Sequence, residues 1–184
     1  MVVLSRTPMS TDVPLLVGAG PLPELRMREA CTALAESLKL ELSHISEGES
    51  PQRWLSDPSA RKGLIRLSGD AARQQAEGGN WLDALADWRH PVLLLVVGEP
   101  GGGVPGSAAA YTALCRQLGV PLKGLIQIGA VWNRLQRRRD GLPWVGWIPA
   151  PGEPERELAL DHLVQELSRL SLTAAATGAR TPQS

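Results

Sequence analysis

Residues 91–107 read PVLLLVVGEPGGGVPGS, and this stretch decides the fold. From Val92 to Val97 every position is apolar, with no polar residue on either alternating face. A strand of that kind is covered on both sides, as in the middle of a parallel sheet. A glycine-rich loop, Gly98 to Gly106, leaves it. Ser107 then reads as the N-cap of a helix whose apolar residues Ala110, Leu114 and Leu118 recur at helical spacing. Gly119 stops that helix.

Working outward, short apolar runs recur on both sides. Pro14–Val17, Leu64–Leu67, Leu125–Ile128 and Trp144–Ile148 read as further strands, the last ending at Pro149. Helical patterns fall between them. Met27, Cys31, Leu34 and Leu38 mark a helix over Glu24–Leu40, and a shorter one covers Trp81–Trp88. Leu160, Leu163, Leu167 and Leu170 form the stripe of a last helix, with Pro154 in its first turn. Strands alternating with helices predict an α/β fold of three layers, a mostly parallel sheet with helices on both faces. Ser46–Ala60, with two prolines, reads as a surface loop. Residues 1–172 form one domain in this reading, and Thr173–Ser184, small, polar and Pro-ended, a disordered tail.

Composition narrows the partners. Nineteen basic residues balance nineteen acidic ones, so no overall field draws the chain to nucleic acid or to an anionic membrane. No apolar run approaches the roughly 20 residues that span a bilayer. Met1–Ser10 lacks the apolar stretch of a signal peptide, which places the protein in the cytoplasm. Two cysteines, Cys31 and Cys115, are too few for a disulfide framework and read as reduced, buried thiols. Six tryptophans with no phenylalanine make indoles the aromatic filling of core and boundary.

Two glycine-rich turns are the candidate ligand site. Gly18-Ala19-Gly20-Pro21-Leu22-Pro23 lies between the first strand and the first helix, where backbone N–H groups and the helix dipole favour an anion. Gly18 and Gly20 are its candidate contacts. Gly101, Gly102, Gly103 and Ser107, in the loop after the central strand, are the others, since α/β sheets bind ligands at the carboxyl ends of their strands. A P-loop ends in Gly-Lys-Ser/Thr, and no such triplet is present. Pro21 and Pro23 each remove an N–H donor. The basic run Arg134, Arg137, Arg138, Arg139 is followed by Asp140-Gly141, a turn signal, and reads as a solvated loop. A partner-docking patch is its alternative. The histidines have no metal-ligand spacing, and Gly-x-Ser-x-Gly is absent, so neither a metal site nor a nucleophile triad is expected.

The stretches WLDALADWRHPVLLLVVGEPGGGVPGSAAAYTALCRQLGVPLKGLIQIG and RRRDGLPWVGWIPAPG, within Trp81 to Gly152, resemble the second half of the dethiobiotin synthetase family. These are ATP-dependent enzymes related to MinD-type ATPases. The resemblance implies a P-loop NTPase-like fold and relatives that often pair, hence a homodimer. Three features depart from the family. The family's Gly-Lys-Thr loop has no counterpart in Leu16–Arg26. Its Glu-Gly pair after the magnesium-binding strand is matched by Ser68-Gly69-Asp70. Its adenine-reading Asn falls on Ile128, with Asn133 farther along. Without the lysine and the magnesium ligands, phosphoryl transfer loses its positioning and charge neutralisation. The expectation is therefore a degenerate, non-catalytic binding or regulatory module that engages a protein partner or a small anion. The alternative is an ATP-dependent ligase or ATPase with a divergent loop. It would use ATP and magnesium, with Asp70 or Glu99 holding the metal. A flavodoxin-like or Rossmann-like binder is the third reading.

Overall fold

The computed structural model describes residues 13–60, 62–76 and 78–178. Its strands are β1 (Leu15–Gly18), β2 (Leu42–Ile45), β3 (Leu64–Leu67), β4 (Val92–Val97), β5 (Leu122–Ile128) and β6 (Trp144–Ile148). They form one sheet in the order β2-β3-β1-β4-β5-β6, and every neighbouring pair is parallel. The helices are α1 (Glu24–Leu38), α2 (Pro51–Leu55), α3 (Trp81–Asp87), α4 (Ser107–Leu118), α5 (Arg134–Arg139) and α6 (Arg156–Gly178).

Two apolar layers sandwich the sheet. On one face Met27, Cys31 and Leu34 of α1 and Leu160 and Leu163 of α6 pack on Leu16, Leu93, Leu95 and Ile126. On the other, Leu55 of α2, Trp81 and Leu85 of α3 and Cys115 of α4 cover Leu15, Val17, Leu67, Leu94 and Val96. The three-layer α/β architecture is the one the sequence predicts. Val92–Val96 is buried throughout, with α1 and α6 on one side and α3 and α4 on the other. Each leucine fully buried there contributes roughly 1.5–3 kcal/mol of transfer free energy.

Element boundaries depart from the expected ones in several places, β5 for one beginning at Leu122 ahead of Leu125. Lys39, in the left-handed region at φ 55°, ends α1 before Leu40. Gly106, not Ser107, occupies the N-cap of α4, and Ser107 is its first helical residue, making no side-chain cap. Pro154 lies ahead of the last helix, which starts at Arg156. The segment read as a loop over Ser46–Ala60 contains α2 and a 3-10 turn, Pro58–Ala60, because Leu55 is wholly buried and anchors it. Strand β2 was not anticipated: it is short, with exposed Ser43 and His44 at its middle. Helix α6 is recorded to Gly178, past Thr173, where the sequence placed a tail; residues 179–184 lie outside the described ones.

The tryptophans divide by position. Trp81 is buried and meets Trp54 edge to face at 6.1 Å. Trp88 is more exposed and donates its indole N–H to Gln52 at 2.9 Å. Trp132, Trp144 and Trp147 gather beside β6, Trp132 meeting the other two at 5.9 and 6.4 Å. The crossover from β5 to β6 contains only the short helix α5, so bulky indoles fill the face that a longer helix covers elsewhere.

Candidate functional site

The connections after β1 and β4 leave for opposite faces of the sheet, β1 into α1 and β4 into α4. This is the switch point at which α/β sheets open a ligand crevice. The structure brings two of the predicted elements together here. Gly20 has φ 93°, and a Cβ placed on it would lie 3.7 Å from Ser107 Cβ and 3.8 Å from the Tyr111 ring. The β1 turn therefore rests on the first turn of α4.

The β1 turn is tight and buried. Gly18, Ala19 and Gly20 are all buried. Ala19 donates its N–H to Leu95 O at 2.9 Å, so one of the few amides left in the turn is already bonded to β4. A Cβ on Gly18 would sit 2.6 Å from Gly20 O and 3.0 Å from Leu22 Cγ: the turn is folded tightly on itself, with the Leu22 side chain packed in the bend. A phosphate cradle needs outward-facing N–H groups, and this bend presents a carbonyl and an isobutyl group instead. At the head of α1, Glu24 pairs with Arg66 at 2.6 Å, and Arg66, almost fully buried, also donates to Ser68 Oγ. A carboxylate thus already complements the positive end of the helix.

Asp70 lies at the same rim. Its carboxylate accepts the Ala72 N–H at 2.9 Å and the Tyr111 hydroxyl proton. Desolvation, and then the bond to Asp70, push the Tyr111 phenol well above its ordinary pKa, so it remains a neutral donor. Among the described residues no three His, Cys, Asp or Glu side chains converge.

Gly101, Gly102 and Gly103 do not join Gly18 and Gly20. Their loop closes on itself through Glu99 N–H to Gly103 O and Gly102 N–H to Glu99 O. Gly101 is exposed at the tip, and Glu99 lies against Gly103. Gly102 is buried beside Val131 O and Gln136, and its carbonyl accepts from Arg137. The basic run is therefore a helix and not a loop, with Arg134, Arg138 and Arg139 exposed as expected and Arg137 turned inward. Residues 134–139 form α5, and Arg137 is buried, bonded to Gly102 O, paired with Asp140 at 2.9 Å and stacked 5.0 Å over the Trp144 ring. Asn133 caps α5, accepting from the N–H groups of Leu135 and Gln136 at 3.1 Å, so its side-chain carbonyl is engaged in the helix start.

The sequence missed a hollow of about 200 Å³ at the carboxyl ends of β5 and β6, lined by Arg26, Glu29, Ile128, Ala130, Pro149 and Arg156. Gly129 and Ala130 both take positive φ, 62° and 53°, as the chain turns at its edge. Two consecutive left-handed residues after a strand are the only sequence signal for it, and alanine hides the second. Arg156 donates to Pro149 O across the rim, leaving Arg26 as the exposed cation. A larger depression of about 680 Å³ lies between residues 47–52, 73–80 and α3, in the connections that follow β2 and β3. Of its charged side chains, Arg73 pairs with Glu47, and Asp83 accepts from the cap residue Asn80.

The fold thus supplies a ligand-binding topology whose β1 turn is folded tightly on itself, with a small hollow lined by Arg26, Glu29 and Arg156 at the ends of β5 and β6. No protein-family model matches this sequence, and no curated protein is significantly similar to it.

Proposed function

We propose that this chain is a degenerate dethiobiotin-synthetase-like domain, P-loop ATPase-like in ancestry, that acts as a non-catalytic binding or regulatory module in the cytoplasm. The β1 turn carries the proposal. Two prolines, the Leu22 side chain and the Gly20 carbonyl stand where a nucleotide would need N–H donors, and Glu24 with Arg66 occupies the helix terminus. Phosphoryl transfer depends on positioning and charge neutralisation, and this turn provides neither. The sheet persists because its apolar strands pack independently of any ligand. What remains for binding is the outer surface, for a protein partner, and the hollow beside Arg26, for a small anion.

Thermal unfolding in magnesium-ATP tests the proposal. A ligand bound only to the native state stabilises it by about 2.7 kcal/mol at a hundredfold excess over Kd. The expected result is an unchanged Tm and no phosphate release. A rise of several degrees at sub-millimolar ATP would instead establish the ATPase or ligase reading.

A further inference from the structure

The depression of about 680 Å³ has three walls: the connection after β2, the connection after β3 and one face of α3. Both connections leave the carboxyl ends of strands, the side on which α/β sheets meet their ligands. The volume lies in the range of small-molecule sites. Among the described residues its lining holds no Val, Leu, Ile or aromatic side chain. Pro51 and Ala84, both buried, are the apolar part, and polar groups surround them. An apolar ligand would find little surface to bury against here.

Several of the polar groups are not used by the fold. Ser50 occupies the N-cap of α2, yet its side chain makes no cap bond. Gln52 accepts the Trp88 indole N–H on Oε1, which leaves its NH2 group as a donor. No other described residue engages the side chains of Gln74 and Asp87. Asp87 also stands against its own helix. It is the last residue of α3, where the helix dipole disfavours an acid, and it lies one turn from the like charge of Asp83. Both carboxylates line the depression. A residue placed against local electrostatics marks a position held for something other than stability.

We propose that this depression binds a neutral polyhydroxylated ring, a mono- or disaccharide. The donor and acceptor inventory carries the choice. Asp83 and Asp87 only accept, the Gln52 NH2 group donates, and Ser50 and Gln74 can do both. An ammonium only donates, and would leave the amide and hydroxyl donors facing another donor. A phosphate only accepts, and would meet two carboxylates. A sugar hydroxyl does both and satisfies the whole set. Trp88, 45% exposed, follows Asp87 in the chain, and Gln52 holds its N–H at 2.9 Å. With the N–H engaged, the face of the indole remains for the C–H side of a sugar ring. This is a third binding place, besides the outer surface and the Arg26 hollow, and it stands whether or not the domain takes a nucleotide.

Ligand-observed NMR and calorimetry of the full chain test it, with neutral hexoses and their disaccharides as probes and putrescine and inorganic phosphate as charged controls. At least one sugar is expected to bind with a Kd of about 1 mM, as suits a small ligand in a polar, open site. Gln74→Ala and Asp87→Ala each weaken that binding about three- to tenfold, the range of one lost hydrogen bond. Asp87→Ala keeps or raises Tm, because α3 loses an opposed charge, so weaker binding is separated from misfolding. No sugar binding at about 20 mM overturns the proposal. So does binding of putrescine alone or of phosphate alone, and so does sugar binding that both variants leave unchanged.

Discussion

Arg137 shows how one side chain can reverse the reading of its neighbours. Four arginines within six residues look like a solvated run, yet one of the four points inward to the Gly102 carbonyl, 35 residues earlier in the chain. No local spacing reveals a partner at that distance. Replacing it leaves the buried Gly102 carbonyl without its donor and removes the Asp140 ion pair, though Asp140 keeps the N–H groups of Leu142 and Trp144. Arg137→Leu should therefore lower stability by about 1–3 kcal/mol in urea unfolding, while Arg138→Leu, on the outer face, should stay within about 0.5 kcal/mol. Equal effects would mean that the inward bond contributes nothing. At the β1 turn the sequence was legible in part. The missing lysine and the two prolines were plain, but that Leu22 folds into the bend, and that Ser107 abuts Gly20, depends on packing across the sheet.

At the scale of elements, legibility followed apolar continuity. Strands β1, β3, β4 and β5 announce themselves because their residues are buried between two apolar layers, and β6, though at an edge, because its own residues are apolar. Strand β2 does not, since its edge position leaves Ser43 and His44 polar. Helices α2 and α5 are too short to show a period; α2 is fixed by buried Pro51 and Leu55, and α5 by buried Arg137. Helix ends depend on backbone conformation more than on residue type. Lys39 ends α1 in a left-handed conformation that glycine adopts without strain, and its N–H caps Glu36 O. Lys39→Gly should thus stabilise the protein by roughly 0.5–1 kcal/mol, read as a higher urea midpoint at unchanged slope. A lower midpoint would show that the lysine stem packs usefully on its surroundings.

Over the whole molecule, the two layers that bury the sheet also bury both thiols, one in each. Burial pushes Cys31 up to about 12, opposed in part by the Arg66 guanidinium, and Cys115 up to about 11. Ordinary thiols titrate near 9. In the interval between, the unfolded chain has lost protons that the native chain retains. The thiol contribution is therefore fully present below about pH 9 and is lost as pH rises through the native values. Stability should fall between about pH 9 and 11, and the fall should be shallower in the Cys31→Ala, Cys115→Ala double variant. An identical slope would assign the loss to other groups. The same burial predicts that neither thiol reacts with a disulfide reagent until the protein unfolds.

The position of β1 has a consequence for how the protein is made. The first strand among the described residues lies between β3 and β4, so its partners arrive only when residues 64–67 and 92–97 have been added. Until then Leu15, Leu16 and Val17 have no finished slot, and a nascent chain halted before Val92 would expose one whole side of that strand to solvent. Pairing of β1 on the ribosome waits for residues 92–97 to emerge, and the unfinished sheet, sticky along its open border, is the species a chaperone would meet.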